Sequence, residues 1–289
     1  MINGYLRADG RKGIRNVIVV AYLVECGHHV AREIAQPFRE QGVHVIGFPG
    51  CFPNAYAERM MRSLTTHPNV GGALLISLGC ESFNGRDLKS HITKSGRPGE
   101  LMIIQRDGGT RSTIEAGRAW VEQTLAELGN TPRADIKPGE LVIGTICGGS
   151  DATSGLAANP AMGRAFDMLV DLGAACIFEE TGELIGCEGY MADRAVTPEL
   201  GQAIIDSVAK AHRHYHTLGH ASISPGNAEG GLTTIEEKSM GAYAKSGAAP
   251  ISGLLKPGDQ PPKGGIYLLD MVSDGDVRFG FPSINDTEE

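Results

Sequence analysis

The feature that most constrains this chain is the regular alternation of apolar runs and amphipathic stretches in its first half. "NVIVVAYLVEC" (16–26), "VHVIGF" (43–48), "GALLISLGC" (72–80) and "ELMIIQ" (100–105) are short apolar runs rich in Val, Ile and Leu. "HVAREIAQPFREQG" (29–42), "NAYAERMMRSL" (54–64), "GRDLKSHITKSG" (85–96) and "RSTIEAGRAWVEQTLAELG" (111–129) follow them with helical spacing. Near-continuous apolar strands belong to sheets buried on both faces, and those are parallel. Alternation at this length reads as repeated βα units, and right-handed crossovers then give a doubly wound, flavodoxin-like layout. Pro37 should kink or shorten the first helix. Tyr56, Met60 and Leu64 are expected on one stripe of the second.

"NTPRADIKPGE" (130–140), with two prolines and no apolar periodicity, is the best linker candidate. It divides the chain into a flavodoxin-like (Rossmann-like) α/β domain over 1–134 and a second α/β domain over 135–289, expected to be incomplete at its C-terminus. In the second, "LVIGTIC" (141–147), "AACIFE" (174–179) and "GIYLLD" (265–270) read as strands. Asn159–Pro160 reads as an N-cap followed by proline at the first helical position. "TPELGQAIIDSVAKAHRHYHTLG" (197–219) reads as a long helix, and the closing "SINDTEE" (283–289) as the start of a helix that does not continue.

Composition excludes several classes. A net charge of -8 gives no support for nucleic-acid binding. There is no apolar run of about 18 residues, so no membrane span is expected. The N-terminus lacks the apolar core of a secretory signal, so a cytoplasmic protein is expected. Six cysteines in 289 residues without such a signal read as thiols or metal ligands rather than a disulfide framework.

Cys26, Cys51, Cys80 and Cys147 each stand at or just after the end of an apolar run. The carboxyl ends of parallel strands share one edge, where ligands bind. Thiolates gathered there suit iron or zinc, and an iron–sulfur cluster on three of them is conceivable. Small cysteines also simply pack well near strand ends, and no C-x-x-C spacing is present. "FEETGELIGCEG" (178–189) offers Glu179, Glu180, Glu183 and Glu188, which can hold a hard cation, act as a base, or be surface loop acids. "SISPGNAEGG" (222–231), containing Asn227, is a glycine-rich loop whose backbone N–H groups can cradle carboxylate oxygens or form a tight turn. Thr233 and Glu236 have capping-box spacing, with Lys238 beside them as an acid, base or carboxylate clamp. His212, His216 and His220 permit a metal pair, but a solvated helix end explains them better. Arg7, Arg11 and Arg15 form either a carboxylate clamp or local salt bridges. The richest stretch is "CGGSDATSGLAANP" (147–160), too polar for a simple turn. A Rossmann dehydrogenase fails on motif, because "CGHHVA" stands where G-x-G-x-x-G should follow the first strand.

"GYLRADGRKGIRN", "HPNVGGALLISLGCE", "CGGSDATSGLAANPAMG", "SPGNAEGGLTTIEEKSMG" and "GIYLLDM" occur in this order. Together they resemble the large-subunit core of the altronate and galactarate dehydratases, the sugar-acid dehydratase family that includes sulfolactate sulfo-lyase. The resemblance covers essentially the whole chain. It implies a metal-dependent hydro-lyase, with iron or another divalent cation, that converts a sugar acid to a 2-keto-3-deoxy acid. A sulfo-lyase, or a dehydratase of another short hydroxy acid, is the neighbouring reading; a non-catalytic binding or assembly module is the remaining one. The family's small additional domain is missing ahead of "GYLRADGR", which implies a separate small subunit or domain as partner; a homo-oligomer is also expected.

Within that reading, residue chemistry places the metal at Cys51, Cys80 and Cys147, with acid–base work at Glu180, Lys238 and Asp151. Ser150, Ser154, Asn159, Asn227 and Arg15 are the substrate-binding candidates. This chain departs from the family at Ser222–Ala228, where the family reads Asn-Pro-Ser-Pro-Gly-Asn-Lys. It also departs at Ile146, a glutamine in the family, and at Cys187-Glu188-Gly189, where the family's histidine is absent. The family continues past this chain's last residue, through a Thr-Gly-Arg-Gly segment.

Overall fold

The computed structural model describes residues 2–146, 148–217 and 223–272. Contacts divide the chain into two compact units that part between Ile136 and Lys137.

The first unit opens with β1 (Ile2–Leu6) and β2 (Lys12–Gly13). Then come β3 (Val17–Tyr22), α1 (His28–Ala35), β4 (Val43–Gly47), α2 (Ala55–Thr65) and β5 (Val70–Ser77). It continues with α3 (Gly85–Lys94), β6 (Gly99–Ile103), α4 (Gly109–Leu128) and β7 (Arg133–Ile136). The parallel sheet has the order β4-β3-β5-β6. Counted by appearance that is 2-1-3-4, the flavodoxin order. Alternation along β3 builds two cores. Ile18 and Val20 pack with Val30 and Ile34 of α1 and Val121 of α4. Val19 and Ala21 pack on the other face with Met61 of α2 and Leu88 and Ile92 of α3. Burial of each such aliphatic side chain contributes about 1.5–3 kcal/mol.

Pro37 acts as expected, since α1 ends at Ala35 and passes into a 3₁₀ segment, Gln36–Gln41. The buried stripe of α2 is Ala57, Met61 and Thr65, with Leu64 of the adjacent Tyr56–Met60–Leu64 stripe partly buried against the same core, and Asn54 caps the helix by accepting from the N–H of Ala57. One reading is corrected. The linker candidate is half strand: β7 pairs antiparallel with β1, so that β2-β1-β7 forms a small separate sheet.

The second unit contains β8 (Val142–Thr145), α5 (Asn159–Asp171), β9 (Ala175–Phe178), α6 (Glu188–Asp193) and α7 (Pro198–Thr217). α8 (Pro225–Glu229), α9 (Ile235–Ala244), β10 (Ile251–Leu255) and β11 (Gly265–Leu269) follow. Its sheet, β10-β11-β9-β8, is all parallel. Phe166 of α5, Ile204 and Val208 of α7, and Ala242 of α9 pack on Cys176, Phe178, Ile266 and Leu268. On the opposite face, Ala175, Leu255 and Tyr267 form a smaller cluster. No helix among the described residues is long and apolar enough to cross a membrane. The acidic end read as a helix start, 283–289, lies outside the described residues.

The expected N-cap at Asn159 is overturned. Helical backbone begins at Ala152, and Asn159 lies inside it with φ -65° and ψ -44°. Ser154–Ala158 form a π turn, in which the N–H of Asn159 bonds to the carbonyl of Ser154. Pro160 accounts for it: proline has no N–H to give to Leu156, and its ring crowds that carbonyl, so the preceding turn widens.

Candidate functional site

A pocket opens within the second unit. Three segments build its wall: the polar loop entering the π turn, the turn after β9, and one face of α9.

The loop is organised by Asp151. Its Oδ1 accepts from the N–H of Ser154 at 2.8 Å and from the hydroxyl of Thr153 at 2.7 Å. These bonds, the Thr153 hydroxyl foremost, hold its carboxyl below the usual range, so it is ionised at neutral pH. The second glycine-rich loop is clasped to the first. Asn227 Nδ2 donates to the carbonyl of Ser150 at 3.2 Å, and the N–H of Ala152 to the carbonyl of Gly230 at 3.0 Å. The other end of the Asn227 amide accepts from the N–H of Ser224 at 2.9 Å and faces Lys238 Nζ at 3.4 Å. Ser150, Asp151, Ser154, Asn159 and Lys238 all line the pocket, and Asn227 ties its two loops together.

α9 contributes a face spaced i, i+3, i+4, i+7: Lys238, Gly241, Ala242 and Lys245, its C-cap. Its start differs by one residue from the sequence reading. Thr234 is the N-cap, receiving the N–H of Glu237, while Glu237 reaches back to the N–H and hydroxyl of Thr233. Glu236 therefore is not the capping-box partner. Gly241 faces Gly155 so closely that a β-carbon on Gly241 would stand 3.2 Å from the Gly155 Cα. Its carbonyl accepts from Asn159 Nδ2 at 2.9 Å. Asn159 thus pins the π turn to α9 rather than opening a helix.

Both lysines are paired with acids from the turn after β9. Lys238 Nζ lies 2.8 Å from Glu183 Oε1, with side-chain exposures of 10% and 21%. Lys245 bonds directly to Glu180, deeper in, with exposures of 4% and 9%. Glu180 is the one non-glycine residue with positive φ among those described, at 77°. That conformation costs an L-residue about 1–2 kcal/mol. Gly182 in the same turn lets the Tyr215 ring approach, since a β-carbon there would stand 1.9 Å from ring carbon Cε2. Burial, reinforced by Glu183 and Glu180, raises the Tyr215 phenol above its ordinary pKa.

Sequence reasoning picked out Glu180 and Lys238 but paired neither with its partner. Lys245 was missed altogether; its signal was the seven-residue spacing from Lys238 across Gly241. Glu188 lies apart from the lysines, accepting from the N–H of Gly186 at 2.6 Å. Cys176 and Cys187 are buried, and burial pushes both thiols up to about 11.

In the first unit, Cys26, Cys51 and Cys80 are exposed on the segments after β3, β4 and β5, at the carboxyl edge of the sheet. The N–H of Ser82 donates to the carbonyl of Cys51 at 2.9 Å, tying the Cys51 and Cys80 loops together. Two thiols on tied loops could supply part of a soft-metal site. They do not complete one: no group of three or more His, Cys, Asp or Glu residues suited to a metal occurs among the described residues, and Cys147 lies outside them. His212 and His216 are exposed near the end of α7, as a solvated helix end requires, and His220 lies outside the described residues.

Arg15 does not sit with the thiols. It precedes β3 at the opposite, amino-terminal edge of that sheet. The arginines form no clamp. Arg7 is buried, donating to the Pro68 carbonyl, Asn16 and the Arg15 carbonyl at 2.6–2.9 Å, while Arg11 pairs with Asp9 at 2.7 Å.

Two family models together match most of this chain. Residues 4–129 match the family described as D-galactarate dehydratase/altronate hydrolase, second domain, and residues 139–279 match D-galactarate/altronate dehydratase, C-terminal. The beta subunit of (2R)-sulfolactate sulfo-lyase from Chromohalobacter salexigens is 33% identical, over 93% of this chain and 71% of its own length. Galactarate dehydratase (L-threo-forming) from Escherichia coli is 32% identical over 94% of this chain, and altronate dehydratase from Bacillus subtilis 29% over 92%. This chain spans only 57% and 56% of those two dehydratases. The sequence, both family models and these relatives together place the chain in the galactarate/altronate dehydratase family.

Proposed function

We propose that this chain carries the catalytic core of a hydro-lyase that dehydrates a sugar acid of the altronate or galactarate kind to a 2-keto-3-deoxy acid. The observation that carries the reading is the meeting of the first polar loop, clasped by Asn227 of the second, with Glu183, Lys238 and Lys245 around one pocket, Lys245 being paired with Glu180 behind it. Such a reaction needs a base for the proton alpha to a carboxylate, a cation for the charge that develops, and an acid for the departing hydroxyl. Glu180 takes the C2 proton. Lys238 attracts the carboxylate and gives a proton to the C3 hydroxyl, which leaves as water. The resulting enol tautomerises to the 2-keto acid. Asp151, with Oδ1 already committed to the loop, holds Ser150 and Ser154 in the pocket wall to meet substrate hydroxyls; Asn159 and Asn227 fix the two loops.

Cys51, Cys80 and Cys147 are the proposed ligands of a divalent metal, iron foremost, or of an iron–sulfur cluster. The Chromohalobacter relative is named as a beta subunit, which supports a separate small partner subunit here. A homo-oligomer is part of the same proposal.

The test is formation of 2-keto acid from a panel of aldonates and aldarates, with and without a small subunit, on anaerobically purified protein. Product from at least one sugar acid supports the reading; none under any combination overturns it. Bound iron that disappears in Cys80→Ala supports the metal, and iron-free protein from that preparation overturns it. Sulfolactate belongs in the panel, because the sulfo-lyase subunit is the relative whose length this chain covers most fully among those compared, at 71%.

A further inference from the structure

We propose that Lys245, which neither sequence pattern nor resemblance singled out, is the positioning residue that keeps Glu180 ionised behind the pocket wall. This rests on the reading of Glu180 as the base. Three observations carry it. The Lys245 ammonium bonds directly to Glu180, and both side chains are at least nine-tenths buried. Glu180 is held at φ 77°, a conformation that persists only where the surroundings over-determine it. Lys245 also lines the pocket, on the same face of α9 as Lys238, so the pair stands beside the proposed substrate site.

A carboxylate this deep is ionised only when a cation or hydrogen-bond donors replace the water it has lost, and Lys245 is the cation bonded directly to Glu180. The groups around Glu180 are mixed. Lys245 comes from the end of α9, Glu183 from its own turn, and the Tyr215 phenol from α7. Lys238, the nearest other cation on α9, is already paired with Glu183. Removing the Lys245 charge therefore takes away the cation bonded directly to Glu180 and leaves Glu183 in the same turn, which raises the pH at which Glu180 takes up a proton. At a given pH, a larger share of Glu180 then already carries the proton it must take from the substrate.

The experiment is the pH profile of kcat/KM for wild type, Lys245→Met, Lys245→Arg and Glu180→Gln, on the full chain with whatever partner the wild type requires. Glu180→Gln should lose turnover at every pH. Lys245→Met should move the acidic limb upward by more than about one pH unit and recover rate in alkali, while Lys245→Arg keeps the limb in place. A Lys245→Met variant that loses rate equally at all pH, with its limb unmoved, overturns the assignment while leaving Glu180 as the base. A Glu180→Gln variant of wild-type rate overturns the base reading itself. Should Lys245→Met fail to fold, carbon-13 NMR of the glutamate carboxyls, assigned through Glu180→Gln, reads the same point in the wild type. Glu180 must stay ionised below about pH 5; a protonation midpoint above about pH 6 overturns the role of Lys245.

Discussion

Each unit buries cations, and the two spend them differently. In the first, Arg7 and Arg97 are 6% and 4% exposed and bond mainly to main-chain carbonyls. Arg7 takes those of Pro68 and Arg15, and Arg97 those of Val70, Ser95 and His67, with Asp9 as its one carboxylate. In the second, Lys238 and Lys245 face carboxylates on the wall of a pocket. A carbonyl of the main chain cannot leave its place, so the arginines act as structural rivets. A side-chain carboxylate can be displaced by one on a ligand, so the lysines can exchange partners. Burial is shared; replaceability of the partner separates a structural cation from one suited to binding.

Four outcomes would sharpen or break that contrast. The largest effect is expected for Lys238→Met, which should cut turnover by about 10²–10³-fold while the circular dichroism spectrum stays that of the wild type. Arg97→Met should do the reverse, costing about 3 kcal/mol in urea unfolding because several carbonyls lose their donor, with KM of the folded enzyme unchanged. A changed KM there would break the contrast.

Acid should also weaken the arginine region. Burial first, then Arg11, Arg97 and Arg7, lower His67 from 6.5 to about 4. The folded chain holds it neutral while the unfolded chain protonates near 6.5, so its contribution is present above that pH. It is lost as pH falls from 6.5 towards about 4. The full depression corresponds to about 3 kcal/mol, and melting temperatures from pH 7 to 4.5 should fall less steeply in His67→Gln. The smallest effect is expected for Asn227→Ala, about 1 kcal/mol in unfolding with a raised KM, because the clasp between the loops loses its side-chain bond. An unchanged KM would mean that the loops hold their places without it.

What the sequence disclosed follows from how far each interaction reaches along the chain. β3 and β5 were legible because interior parallel strands are apolar throughout, as "VIVVAY" and "VGGALLIS" are. β7, "RADI", was not, because it is a polar strand specified by pairing with β1 more than a hundred residues earlier. β10, "ISGLL", is short and interrupted by glycine. At the site, the polar loop and Lys238 stood out by composition. The ion pairs did not, since Glu180 and Lys245 are 65 residues apart. Regular spacing of arginines likewise did not disclose that Arg15 precedes β3, at the amino-terminal edge of its sheet.

The widened turn at Ser154–Ala158 has a consequence for heredity. A π turn carries one residue more than the α-helix it interrupts, so this segment is in effect a single-residue insertion held in place by Pro160. Loss of one codon there, together with replacement of Pro160, would leave an ordinary helix. It would also turn everything before it by about 100° relative to α5, carrying Asp151 and Ser154 off the pocket wall. Lineages that drift in length at this point should therefore keep the fold and lose the site, whereas a neighbouring surface loop can gain or lose residues without such a cost.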